Sequence, residues 1–252
     1  MMASALLLHP KARKSLFGGC GFVPGLEDMK RWLELAWRRG FDPVSCAQLF
    51  PVVGTDKWVG TSECWTLLSS FGIKCRIVSF VSRDRARKSS NQITKKRPRS
   101  SSSTKVAEAV RGWLLDYFKA DSGKDATSAK KRKTPWDKPS TESLPYSSRS
   151  AARWPLYMQH NGHSRVCVGV SVRGEKDTSN VQLLIFDPAT YGPDLKSCIL
   201  NSKKGWHSMI KRGLHTLRKP EYQFVVPDPD ASYIAGSGEV SSYLPVEQVI
   251  YA

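Results

Sequence analysis

The sequence predicts an α+β domain. Amphipathic helical patterns gather in its first 71 residues, β-rich runs gather after residue 165, and a basic, low-complexity stretch stands between them. Each element follows from local pattern. Asp28 to Arg39 reads as a helix because Leu26, Met29, Leu33 and Ala36 or Trp37 share one stripe, with Gly40 as the stop. Trp58 to Phe71 repeats the pattern through Val59, Cys64, Trp65, Leu68 and Phe71, and Gly72 ends it. Ile73 to Phe80 follows as a strand carrying Ile73, Cys75, Ile77 and Val78.

Val106, Val110, Trp113, Leu114 and Tyr117 then fall on one helical face, which predicts a helix near 105–119 docked on the main core. Val166 to Val172 and Val181 to Phe186, joined by the polar segment Arg173 to Asn180, read as a hairpin. Trp206 to Lys219 is expected to be helical and stopped by Pro220, and Tyr222 to Val226 to be one more strand. The expected organisation is therefore a helical lobe with its first strand in residues 1–81, a basic and largely disordered insertion in 82–153 around that docked helix, and the sheet half of the same domain in 154–252.

Composition bounds the function. A chain of 252 residues, 40% hydrophobic and with 8 Trp, can bury a core without disulfides, so uniform disorder is excluded. No stretch approaches 18 apolar residues, which argues against a membrane span and for a soluble, intracellular protein. The formal charge is +17, and residues 82–153 hold +12 of it, with the runs Lys95-Lys96-Arg97-Pro98-Arg99 and Lys130-Lys131-Arg132-Lys133. Serine, proline and like charge cannot repay the entropy of ordering. Such runs suit nuclear import or phosphate contact, so nucleic acid is an expected partner and nucleus plus cytoplasm the expected location; a solvated loop of no specific role is the alternative.

The six cysteines Cys20, Cys46, Cys64, Cys75, Cys167 and Cys198 never form a C-x2-C pair, which argues for reduced thiols and against a structural zinc site; no cofactor or metal is expected. The sharpest feature is Gln159-His160-Asn161-Gly162-His163-Ser164-Arg165 ahead of one strand of the hairpin, with Asp187-Pro188 closing the other. A hairpin centred between residues 176 and 177 brings His163 and Asp187 within about two residues of facing each other. A carboxylate there would fix the imidazole tautomer, as a general base for a thiol or hydroxyl requires. Alternatively Asp187 caps a turn and His163 merely begins a strand, or His160 and His163 form half of a zinc site whose other ligands the sequence does not offer.

These residues resemble the papain-fold cysteine peptidases that cleave ubiquitin-fold modifiers or ubiquitin chains, in particular the zinc-finger-bearing ZUFSP branch. Trp37-Arg38-Arg39-Gly40-Phe41-Asp42-Pro43 is similar to that branch's Ala-Trp-Lys-x-Gly-Phe-Asp-Pro, and Gly54-Thr55-Asp56-Lys57-Trp58-Val59-Gly60 with Glu63 to its Gly-Thr-x-x-Trp-Ile-Gly-x-x-Glu. Leu156 to Arg165 is similar to its Tyr-Leu-Gln-His-Gln-Gly-His-Ser-Arg. The resemblance implies a papain-like fold, helical lobe followed by antiparallel sheet, with His163 as catalytic histidine and Asp187 as catalytic aspartate. It implies a role for Gln159 at the oxyanion, for which a strand hydrogen bond is the alternative. The modifier-specific peptidases join Asp and His in one Asp-Pro-His motif; here Asp187-Pro188 is followed by Ala189, which favours the ubiquitin branch.

One part of the pattern is missing. The family's nucleophile lies in Cys-Gly-Tyr-Arg-Asn at a helix start, and Met1 to Leu7 resembles the family segment immediately C-terminal to that motif. These residues thus correspond to a domain beginning just after the nucleophile. Cys20, in Gly19-Cys20-Gly21-Phe22, is the fallback nucleophile, but it lies nearer to Trp37 than the family spacing allows. The expectation is a deubiquitinase-like cysteine peptidase domain, partnered by ubiquitin or a ubiquitin-like modifier and inactive as written. The alternative is a non-catalytic ubiquitin-binding pseudo-peptidase or a basic nuclear protein associated with nucleic acid.

Overall fold

Five short helices open the chain: α1 (Met2–Leu6), α2 (Pro10–Ser15), α3 (Leu26–Arg38), α4 (Pro43–Leu49) and α5 (Thr61–Ser70). They lie on one face of a seven-stranded sheet formed by β1 (Cys75–Val81), β2 (Leu156–His160), β3 (His163–Val172), β4 (Val181–Phe186), β5 (Lys211–Gly213), β6 (Glu221–Pro227) and β7 (Glu247–Tyr251). The strand order is β5-β4-β3-β2-β6-β1-β7, antiparallel throughout except for the parallel pair β1/β7. The structure is a computed structural model that describes residues 1–83, 100–119, 153–172, 181–201, 203–228, 244–245 and 247–252. The basic runs at 95–99 and 130–133 and the hairpin connection 173–180 lie outside the described residues, as does the expectation that the insertion is disordered.

Alternation along the strands divides the core in two. Ile77, Val166 and Val225 face the helical lobe and pack with Leu6, Leu16, Trp65 and Leu68. Val78, Cys167, Phe224 and Val226 face the other way and pack with Val106, Val110 and Leu114 of α6 (Ser100–Lys119), all three fully buried. The helix predicted inside the basic insertion therefore docks by its apolar stripe, and Trp113 meets Phe80 edge to face at 5.6 Å.

The motifs of the helical lobe are scaffold. Gly40 ends α3 at φ 92°, a conformation that penalises any Cβ, and Asp42 then caps α4 by accepting from the Ser45 N–H at 3.1 Å, with Pro43 in the first turn. Glu34 is buried and accepts from both the Val52 and the Val53 N–H at 2.9 Å, and Glu27 accepts from Gly54 N–H. Carboxylates of α3 thus hold the segment that leads into α5.

Three expectations need correction. The helix expected from Trp58 begins at Thr61, because Gly60 is its cap: the Glu63 carboxylate turns back to accept from the Gly60 N–H at 2.5 Å. The helix expected over 206–219 is instead α8 (Trp206–Ile210), β5 and a 3-10 turn at Leu214–Thr216. Lys211, Arg212 and Gly213 pair with Leu184, Leu183 and Gln182, covering the edge of β4, so tertiary pairing overrides the local pattern. The sheet also runs earlier than expected, since β2 and β3 are joined by Asn161-Gly162, both at positive φ, as a two-residue hairpin. α1, α2, α4, α7 (Gly192–Leu200) and β7 have no counterpart in the sequence reading.

Candidate active site

The β2–β3 hairpin carries polar side chains on both of its faces. On the face of the helical lobe, the Thr61 hydroxyl at the start of α5 lies 2.7 Å from Gln159 Oε1 and 3.0 Å from Gln223 Oε1, and shares its single proton between them. Gln223 Nε2 donates to Ser79 Oγ, which in turn donates to Glu247 Oε1 at 2.6 Å, so that carboxamide is fixed. Gln159 is left with its oxygen toward Thr61 and its Nε2 group without a protein acceptor among the described residues. A Cβ on Gly60 would stand 3.0 Å from Gln159 Oε1, so the glycine is what lets the amide lie against the α5 start.

Beside it opens an apolar cleft of about 210 Å³, whose lining includes Met1, Gly60, Glu63, Cys64 and Tyr157. Burial, with the nearby Glu63 charge, pushes the Cys64 thiol up to about 12, and burial also lowers the pKa of the Met1 amine. Tyr157 exchanges a 2.5 Å hydrogen bond with Ser164 across the hairpin.

The other face of the hairpin holds His160, His163, Arg165 and Asp187. Pairing of Val166 with Phe186 sets Asp187 opposite Arg165 by one further step of the ladder, with His163 two residues beyond, the offset the sequence arithmetic anticipates. Arg165 Nε donates to Asp187 Oδ2 at 2.6 Å, and the Ala189 N–H donates to Oδ1 at 3.0 Å. Burial pushes the Asp187 carboxyl up, but these bonds and the Arg165 charge outweigh it and hold the group below its usual range. Arg165 Nη1 also lies 2.6 Å from His160 Nε2. A guanidinium can only donate, so Nε2 is the acceptor and Nδ1 carries the proton, buried and without a partner among the described residues. Burial first, then the Arg165 charge, push His160 down to about 4, and it is neutral near pH 7.

His163 is exposed and meets the His160 ring at 5.8 Å; its described contacts include no hydrogen bond to Asp187, whose partner is Arg165. The structure thus places His163 and Asp187 on one face with Arg165 between them. Sequence reasoning assigns Arg165 no role: the register sum sets Val166 opposite Asp187, and the bulge between Cys167 and Gly169 moves the partner to Arg165. Gln159 does not join this group, because it points to the lobe face.

Apart from Cys64 in the cleft wall, the cysteines sit away from both sets. Cys75 and Cys167 are buried in the two cores, Cys46 packs beside Leu33, Trp37 and Val52, and Cys198 lies in α7. Cys20 is exposed in the turn after a 3-10 segment at Leu16–Gly19 and donates to Phe22 O at 3.4 Å. Among the described residues no three His, Cys, Asp or Glu side chains gather as a metal site, and no helix is long and apolar enough to cross a membrane.

Comparison with known proteins gives the family. Residues 1–225 match the model of peptidase family C78. Zinc finger-containing ubiquitin peptidase 1 of Mus musculus is 27% identical over 225 residues, covering 87% of this chain and 32% of the relative. The Bos taurus and Homo sapiens proteins of that name are 29% and 25% identical, each over 89% of this chain and 32% of their own length. The chain therefore spans about a third of the curated relatives it matches. A crystal structure of UfSP from C. elegans aligns with a TM-score of 0.39 and 18% identity, over 75% of this chain and 25% of that one.

Proposed function

The chain belongs to peptidase family C78, and on that premise we propose that it is the body of a thiol peptidase domain that hydrolyses the isopeptide bond at the C-terminus of ubiquitin or a ubiquitin-like modifier. In this reading His163 takes the proton of a cysteine thiol, the thiolate attacks the isopeptide carbonyl, and His163 returns the proton to the departing amine; water then releases the modifier from the thioester by the same route. Asp187, held by Arg165 and the Ala189 N–H in the free chain, is the carboxylate assigned to orient His163 during turnover, and Gln159 Nε2 donates to the oxyanion.

The observation that carries the reading is that the start of α1 and the oxyanion candidate border one cleft, with His163 and Asp187 contributed from the other face of the same hairpin. Met1, at the start of α1, lines the same cleft as Gly60, Glu63, Cys64 and Tyr157, and Gly60 touches Gln159. A cysteine immediately ahead of Met1 would enter that cleft beside a donor with no protein acceptor among the described residues. None of the six cysteines present meets the requirement: Cys64 is buried with its thiol near 12, and Cys20 lies in a loop with no helix start behind it. The 252 residues alone are therefore proposed to be inactive, and ubiquitin to be preferred over the ubiquitin-fold modifier because His163 precedes Asp187 instead of following it directly.

The test is hydrolysis of fluorogenic C-terminal amides of ubiquitin and of the ubiquitin-fold modifier by two proteins, the chain alone and the chain extended by Cys-Gly-Tyr-Arg-Asn ahead of Met1. Turnover by the extended chain alone, abolished by His163→Ala and reduced by Asp187→Asn, is expected. Turnover by the unextended chain that disappears in Cys20→Ala would assign the nucleophile to Cys20, and a folded extended chain that cleaves neither amide would overturn the reading.

A further inference from the structure

The edge of the sheet beyond β4 is strongly basic. Residues 191–220 carry seven Lys and Arg against one acid, Asp194. They form one contiguous unit, because α7 packs on α8, α8 on β4 and β5, and the turn at Leu214–Thr216 on both β4 and α6. Lys196, Lys203, Lys204 and Arg218 are exposed, and none of the seven forms an ion pair with a carboxylate among the described residues. A solvated helix face elsewhere in this protein looks different: on α3, Lys30 and Arg31 each meet an acid one turn away, Glu27 at 2.7 Å and Asp28 at 2.8 Å. Unpaired cations on one edge create a positive potential that needs a polyanion to neutralise it.

Two further features define the polyanion. A pocket of about 330 Å³ lies where α6 meets this edge, lined by Ser103, Thr104, Glu108, Arg111, His215 and Arg218. Arg218 Nε donates to His215 O at 3.0 Å, which fixes the guanidinium while its terminal nitrogens keep no protein acceptor among the described residues. The Arg218 guanidinium at the rim of that space suits a phosphate, Glu108 being the one acid of the lining. Aromatic groups are interleaved with the charge: Tyr191 is 68% exposed at the start of α7, and Trp206 stands edge-on to His207 at 3.8 Å. An acidic peptide would use the cations alone, whereas a chain of phosphates carrying flat bases uses cations and rings together.

We propose that this edge, from Tyr191 through Arg218 to the α6 pocket, binds single-stranded nucleic acid, with the pocket seating one phosphate and the exposed Tyr191 ring stacking on a base. The site uses none of the residues of the basic runs at 95–99 and 130–133 and none assigned a part in peptide hydrolysis, and it stands whether or not the peptidase reading does.

The test is fluorescence anisotropy of a labelled 20-nucleotide oligothymidylate titrated with the full chain, measured across a salt series. The background variant has Lys95, Lys96, Arg97, Arg99 and Lys130 to Lys133 changed to alanine, so that only the folded edge is read; Lys196→Ala, Lys203→Ala, Lys204→Ala and Arg218→Ala are then added together. The four are exposed, and an unchanged thermal melt verifies the fold. The expected result is a loss of at least about tenfold in affinity at 0.1 M salt and a fall of about 3 in the slope of log K against log salt, since each lost phosphate contact on a single strand removes about 0.7. Tyr191→Ala should weaken binding severalfold with the slope unchanged, a response that charge alone does not give. The proposal is overturned if the background variant no longer binds the oligonucleotide, if the added substitutions leave its affinity unchanged, or if they abolish binding to polyglutamate or phosphatidylserine vesicles while sparing the oligonucleotide.

Discussion

Arg165 and Asp187 face each other across β3 and the end of β4 with Nε and Oδ2 2.6 Å apart, and the same guanidinium reaches His160 with its other arm. Both side chains are mostly buried, at 26% and 15% exposure. Removing the guanidinium would leave a half-buried carboxylate with one backbone donor and a buried imidazole with none. Arg165→Gln is therefore expected to destabilise the chain by about 1.5–3 kcal/mol, the range for hydrogen bonds to charged groups. Arg165→Lys should recover only part, because an ammonium cannot span two acceptors held by a planar fork. Urea denaturation of the two variants checks this, and a loss below about 0.5 kcal/mol in Arg165→Gln would mean the bridge contributes little.

The same cluster makes stability fall in acid. His160 ionises near 4 in the folded chain against an ordinary 6.5, so between those values the unfolded chain takes up a proton that the folded chain refuses. Stability should therefore decline as pH drops through that window. Asp187, held below its usual 3.8, adds its own loss only at lower pH, as its carboxylate protonates. His9, also lowered by burial, contributes to the first window, so His160→Gln should flatten the decline without abolishing it. Melting temperatures at half-unit steps from pH 7 to pH 4 measure the effect, and an identical profile in wild type and His160→Gln would contradict it.

On the opposite face, Thr61 holds Gln159 from the start of α5. Thr61→Val keeps the shape but removes the donor, and should cost about 1 kcal/mol. Gly60→Ala places a Cβ 3.0 Å from Gln159 Oε1, so the amide must give way by a few tenths of an ångström. In the extended chain both changes should lower turnover several-fold with the melt of Gly60→Ala nearly intact. Unaltered turnover in both would separate Gln159 from the chemistry.

The helix between the basic runs is part of the core. Leu114 is fully buried among Phe224, Val78 and Cys167 in the second cluster, and Leu114→Ala should cost about 2–5 kcal/mol, the range for emptied leucine sites. A value near zero by chemical denaturation would mean that α6 does not dock.

Much of this was legible in the sequence for identifiable reasons. The α6 stripe and the β3–β4 hairpin announce themselves because their periodicities, 3.6 and 2, match the faces they bury. The hairpin register brought His163 and Asp187 near each other and family motifs pointed to the same pair, but it is the bulge between Cys167 and Gly169, invisible to the register sum, that sets them on one face. What was not legible depended on partners distant in sequence. β5 exists because β4 has an edge to cover, β7 because β1 offers a parallel neighbour, and the Thr61–Gln159 contact because two elements 98 residues apart converge. Asn161-Gly162 was the missed local signal, a two-residue hairpin turn that makes Leu156–His160 a strand. Arg165 was missed because the bulge between Cys167 and Gly169, which brings it opposite Asp187, leaves no signal in the strand pattern.

The central claim is that His163 serves a thiol placed ahead of α1, and the pH dependence of that thiol tests it most directly. In the chain extended by Cys-Gly-Tyr-Arg-Asn, the alkylation rate by iodoacetamide should follow a thiolate with a pKa well below the ordinary value of about 8.5, and His163→Ala should return it to the ordinary range. An ordinary thiol pKa in the extended chain, unchanged by His163→Ala in a protein that melts normally, would contradict the account.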